Sequence, residues 1–156
     1  MIKIKNKIKT LERISRRKRI NFCTIYKNDL KLYLDENNRF RLYYKDNEFT
    51  KGPGLNTNIF SEGSWHASAN SIVNNIKRPS SEEIILHLNH NQLPLIQIWH
   101  LKFNSEDMLS WKVNMHIKEP LRIDSRKASL FLSRAYQNWV ALPKHGDFPF
   151  YFNSGW

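Results

Sequence analysis

The chain has 156 residues, 40% hydrophobic and 25% charged, with a formal net charge of +11 and one cysteine. That composition fits one globular domain with a core of its own and excludes a disordered chain. It also excludes an intramolecular disulfide, an all-cysteine metal site and an apolar run of membrane-spanning length.

The basic start has no apolar segment behind it, so no secretory signal is read and a reducing, cytoplasmic setting is expected. The charge is unevenly placed. Residues 1–19 hold nine basic groups against Glu12 alone, which leaves 16 basic and 13 acidic groups for the other 137 residues. We therefore divide the chain into a basic arm, residues 1–19, and a body, residues 20–156. Arg16, Arg17, Lys18 and Arg19 are the arm's candidates for contact with nucleic acid or another anionic surface. No aromatic residue is interleaved with them to offer a stacking platform, and a solvated arm accounts for the same run.

In chain order, Met1 to Lys9 alternates Ile2, Ile4 and Ile8 with lysines, as an edge strand does. Ile8, Leu11 and Ile14 equally fit a helical stripe. Asn21 to Tyr26 reads as a short strand, with Cys23 a small buried hydrophobe. Leu30 to Tyr44 reads as a hairpin with a three-residue loop, Glu36 to Asn38, pairing Asp35 with Arg39 and Leu34 with Phe40. Its second face then shows Tyr33, Arg41 and Tyr43. Lys51 to Gly54, KGPG, reads as a break, and without a following Gly-Lys-Ser/Thr it is no phosphate loop.

Ile59 to Ser68, IFSEGSWHAS, is strand-like with a tight bend at Gly63. Ser71 to Lys77 follows as a strand, with a turn at Pro79. Glu83 to Leu88 is a strand rich in Ile and Leu, and residues 87–94 connect it onward. Leu95 to Ile117 is the strongest signal in the chain. Two nine-residue runs alternate apolar and polar residues around a polar loop, Asn104 to Met108. Pairing Phe103 with Leu109 sets Leu101 opposite Trp111, Trp99 opposite Val113 and Gln97 opposite Met115, with both apolar rows on one face. His100, Lys112, Asn114 and His116 then share the polar face. A turn at Pro120, a short strand carrying Leu121 and Ile123, and an apolar run from Ala128 to Leu132 follow. Ser133 to Val140 fits a helical turn or a strand, and the aromatic FPFYF at 148–152 should pack.

Short strands recur between turn signals with no long amphipathic helix, which predicts a single antiparallel all-β sandwich. Trp99 and Trp111 belong in its core. Chemistry is harder to find. No His-Glu-x-x-His, nucleophile elbow or dinucleotide fingerprint occurs, so neither a metal nor a cofactor is expected. The adjacent carboxylates Asp35-Glu36, Glu82-Glu83 and Glu106-Asp107 would point opposite ways along a strand and make poor acid–base pairs. A glycan-active enzyme would need Glu62 and a histidine to converge in one pocket. Among the abundant aromatics, Trp65 and Tyr33 suit the flat apolar face of a sugar ring. His66, Arg41, His100 and Asn114 supply directed polar groups.

The runs IFSEGSWHAS, LPLIQIWHLKFNSEDMLSWKVNMHI and LSRAYQNW resemble β-sandwich domains of the galactose-mutarotase-like kind, over about residues 55–140. The resemblance lies in the cadence of strands, not in a catalytic motif. It implies a sandwich of the sort that accompanies enzymes of polysaccharide synthesis or breakdown. The leading expectation is a non-catalytic carbohydrate-recognition module with Trp65, His66, Tyr33, Arg41, His100 and Asn114 at its surface. The alternative is a nucleic-acid or anionic-surface binder acting through the arm.

Overall fold

The structure, a computed structural model, describes residues 23–105, 108–133, 138–141 and 144–147. The basic arm, with Arg16 to Arg19, and the FPFYF run lie outside the described residues. The strands in chain order are β1 (Thr24–Lys27), β2 (Leu30–Leu34), β3 (Phe40–Tyr44), β4 (Asn47–Glu48), β5 (Thr50–Ser61), β6 (Ser64–Ala67) and β7 (Ile72–Ser80). They continue as β8 (Glu83–Asn89), β9 (Leu95–Phe103), β10 (Leu109–Ile117), β11 (Ser125–Leu132), β12 (Asn138–Ala141) and β13 (Lys144–Asp147). The described residues contain no α-helix; Ser68–Asn70 forms one 3-10 turn.

The strands make two main antiparallel sheets. In the first, β1-β2-β3-β5-β11 run side by side, with β4 on β3 and β6 on β5. In the second the order is β10-β9-β8-β7. β12 and β13 form a separate two-stranded ribbon. The two main sheets form a sandwich, as the alternation requires, because each presents one apolar face. Ile25, Leu32, Phe40 and Leu55 of the first meet Leu86, Trp99, Leu101 and Phe103 of the second in one buried cluster. The Phe40 and Trp99 rings stack across the interface, centroids 5.8 Å apart. A smaller cluster of Ile59, Leu93 and Leu95 extends the core, with Met115, Leu121 and Ile123 against it.

One polar group crosses this interface. Gln97 is 0% exposed. Its Oε1 accepts hydrogen bonds from Thr57 Oγ1 at 2.7 Å and from Trp99 Nε1 at 2.9 Å. It thereby ties β5 of the first sheet to β9 of the second.

Both hairpin registers read from the sequence are present. Leu109 pairs with Phe103, Trp111 with Leu101, Val113 with Trp99 and Met115 with Gln97. Asn104 closes the loop, its N–H donating to Met108 O and its side chain accepting the Met108 N–H. In the first hairpin Leu34 pairs with Phe40, and Asp35 N donates to Arg39 O at 2.9 Å. Asn38 takes the left-handed conformation of that loop, φ 57°. At Glu62 and Gly63 both φ angles are positive, 52° and 75°, the signature of a two-residue hairpin turn. That is the tight bend expected at Gly63.

Four expectations are corrected. KGPG does not end a strand; it lies inside β5, and the ladder to β11 shifts register between Leu130 and Leu132. Gly54 has φ +66°, and a Cβ there would sit 2.0 Å from Phe40 O. The glycine makes a bulge that lets β3 lie against β5. Pro79 does not turn the chain; β7 runs through it to Ser80, at an irregularity on an edge strand, where a missing N–H is tolerated. Leu121 and Ile123 pack on the core but belong to no strand. Trp111 is only partly buried, its ring tilted against Trp99 with centroids 4.8 Å apart, because β10 is the edge of its sheet.

Candidate functional site

The outer faces of the two sheets carry the candidate chemistry. On the first sheet, Leu32, Leu34 and Phe40 point inward, so Tyr33, Arg41 and Tyr43 point out. Tyr33 stands opposite Arg41 in the ladder, and its ring stacks on Tyr43 with centroids 5.7 Å apart and planes 28° off parallel. Lys31 Nζ lies 4.9 Å from the Tyr43 ring centre.

Beside this pair lies a network of fixed charges. Asp35 Oδ1 accepts the backbone N–H groups of Asn37 and Arg39, at 2.8 and 2.9 Å. Its Oδ2 takes Arg39 Nε at 2.9 Å and Arg41 Nε at 3.2 Å. Arg41 also donates through a terminal nitrogen to Glu48 Oε1 at 3.2 Å. Thr50 Oγ1 donates to the same oxygen at 2.9 Å and accepts the Leu42 N–H at 3.2 Å. Tyr43 donates its hydroxyl to Glu48 Oε2 at 3.4 Å. The Arg41 and Asp35 side chains are only 12% and 11% exposed.

Burial by itself would raise the Asp35 carboxyl, but the Arg39 and Asn37 N–H groups and the Arg39 guanidinium outweigh it and hold it below its usual range. Burial drives the Tyr43 phenol far above its usual range, helped by Tyr33 and Glu48. Tyr43 is therefore a hydroxyl and never a phenolate at physiological pH. Tyr33, Arg41, Tyr43, Glu48, Thr50 and Lys51 line a cleft of about 460 Å³. Its lining combines the two tyrosines with the polar groups of Arg41, Glu48, Thr50 and Lys51.

The other sequence candidates go elsewhere. Trp65 pairs with Phe60 and lies 48% exposed on the outer face of the first sheet, tilted against the Phe60 ring at 5.1 Å. Lys127 Nζ sits 4.8 Å from its ring centre. His66, the next residue, pairs with the buried Ile59 and so points to the opposite side, where its Nδ1 lies 3.0 Å from Gln92 Oε1. His100 and Asn114 are on the outer face of the second sheet, separated from Tyr33 and Arg41 by the whole sandwich. His100 Nε2 lies 2.7 Å from Glu83 Oε1. His116 stands opposite Ile96, four residues along β9 from His100, so the two histidines do not meet. Glu62 occupies the exposed hairpin turn and does not line the cleft.

Asp35, Glu48 and Thr50 complete the cleft and were not among the sequence candidates. The signal for Asp35 was its loop pairing with Arg39; nothing in the aperiodic stretch 45–50 pointed to Glu48 or Thr50. Among the described residues no group of three or more His, Cys, Asp or Glu is arranged to hold a metal ion. No helix among them is long and apolar enough to cross a membrane. Compared with known proteins, the chain matches no protein-family model, no curated protein and no solved structure.

Proposed function

We propose that the chain is a non-catalytic saccharide-recognition module and that the cleft on the outer face of the first sheet is its binding site. The observation that carries this reading is the Tyr33–Tyr43 stack beside an Arg41 guanidinium fixed between Asp35 and Glu48. A sugar ring offers an apolar face and a rim of hydroxyls, each both donor and acceptor. Aromatic rings meet the first, and rigid polar side chains meet the second. Catalysis is left out because the Asp35 carboxylate is committed to two arginines and to its own loop. Trp65 is a separate aromatic platform outside the cleft.

The test is a glycan array probed with the full chain at 50 and 500 mM salt, followed by calorimetry on the best saccharide. Binding should change little with salt, since no net charge is exchanged. It should be lost in Tyr33→Ala and Tyr43→Ala and persist for a monosaccharide in Trp65→Ala. Saccharide binding untouched in both tyrosine variants refutes the assignment.

A further inference from the structure

The ladder fixes the layout of the outer face of the second sheet. One row across the four strands reads Lys77, Ile85, His100, Lys112. The next reads Asn75, His87, Ile98, Asn114. A third reads Ile72, Asn89, Ile96, His116. A fourth reads Ser80, Glu83, Lys102, Ser110. Each four-strand row spans about 14 Å at the usual strand spacing.

Among these paired residues Glu83 is the one carboxylate, and it is taken by His100 at 2.7 Å and Lys102 at 3.6 Å. Lys77 and Lys112 have no acidic side chain in their rows.

We infer that this face binds single-stranded nucleic acid. The lysines supply phosphate contacts, Lys77 and Lys112 with no acid in their rows and Lys102 beside Glu83, and the net positive charge of the rows favours a polyanion. The amides of Asn75 and Asn114 both donate and accept, which suits base edges. Ile85, Ile96 and Ile98 stand half-buried between polar neighbours, a floor on which flat bases lie. A lipid surface would leave those carboxamide rows facing apolar chains. A flat sheet also fits an extended strand better than the grooves of a duplex. This surface is distinct from the basic arm and from the saccharide cleft, and the inference rests on neither.

The experiment measures fluorescence anisotropy of a labelled 20-nucleotide single strand of mixed sequence with the full chain, from 50 to 200 mM salt. The background is R16Q/R17Q/K18Q/R19Q, so that the arm does not contribute. K77Q/K102Q/K112Q in that background should weaken binding at least tenfold and lower the log–log salt slope by about 2, three phosphate contacts at about 0.7 each. All three lysines are exposed, and an unchanged urea midpoint shows that the fold is intact. Heparin fragments and phosphatidylserine vesicles should bind at least tenfold more weakly than the oligonucleotide. Binding by the triple variant within twofold of its parent overturns the inference, as does equal affinity for heparin or vesicles.

Discussion

Gln97 offers the sharpest test of how the sheets are joined. Replacing it with Leu removes the acceptor shared by Thr57 Oγ1 and Trp99 Nε1, both buried. Two donors are then left without partners, at about 1–3 kcal/mol each. Against this, Gln97 Nε2 has no partner in the parent. Removing that orphan and burying a leucine return about 1–3 kcal/mol. The net loss expected for Gln97→Leu is about 2 kcal/mol.

The magnitude alone would be weak evidence, because many core changes cost as much. The sign of a second substitution is stronger. Thr57→Val is nearly isosteric. In the parent it removes one hydrogen bond while Gln97 keeps Trp99, and should cost about 1 kcal/mol. In Gln97→Leu it removes an orphaned hydroxyl and should stabilise by about 1 kcal/mol. Urea unfolding of the four proteins, followed by circular dichroism, measures the coupling, expected at about 2 kcal/mol. If Thr57→Val has the same sign and size in both backgrounds, the Gln97 bridge between the sheets is wrong.

Gly54→Ala should destabilise by at least about 2 kcal/mol, combining the cost of a left-handed alanine with a Cβ driven onto Phe40 O. Gly52→Ala has the same positive φ but open space, so in the same urea assay it should cost only the conformational part. His90 is held neutral chiefly by burial, reinforced by His66 and opposed by the Gln97 carboxamide. Its folded pKa lies below the ordinary value of 6.5, so the unfolded chain binds the proton first. Stability is then full above about pH 6.5 and falls as pH drops, by up to about 1.4 kcal/mol per unit, until the folded pKa is passed. His90→Leu should remove that part of the slope as pH falls below 6.5, with unfolding midpoints as the readout.

The sequence was most legible where alternation and a turn agreed. Leu95 to Ile117 has one register that puts both apolar rows on one face, so its pairing could be read residue by residue. The same held for Leu30 to Tyr44, which also delivered Tyr33, Arg41 and Tyr43 to one surface. Glycine and proline misled at KGPG and at Pro79. Both segments stay in the ladder as irregularities, which composition cannot tell from a turn. Trp65 and His66 were grouped as neighbours in sequence, although alternation sends them to opposite sides. His100 and Asn114 were placed on the correct hairpin face. What could not be read was that Tyr33 and Arg41 lie on the opposite outer face from them, because strand order depends on crossovers that no local pattern encodes.

The charged network of the cleft is a poor device for stability, and that bears on its purpose. Removing Asp35 and Arg41 from water costs several kcal/mol per ion, and their attraction repays this only with good geometry. A tyrosine–leucine surface would hold β2 and β3 together equally well. The network instead fixes direction. Arg41 is gripped through two of its nitrogens, Glu48 takes hydrogen bonds from three side chains, and the Tyr43 hydroxyl is held as a donor. Side chains locked in this way lose little conformational freedom when a ligand arrives, so each contact with it is worth more. A surface meant only to be solvated gains nothing from such locking. On the other sheet's outer face Lys77 and Lys112 have no acid in their rows, and only Lys102 and His100 share one, Glu83. The two proposed sites thus differ in kind, one fixed by hydrogen bonds and the other resting on charge.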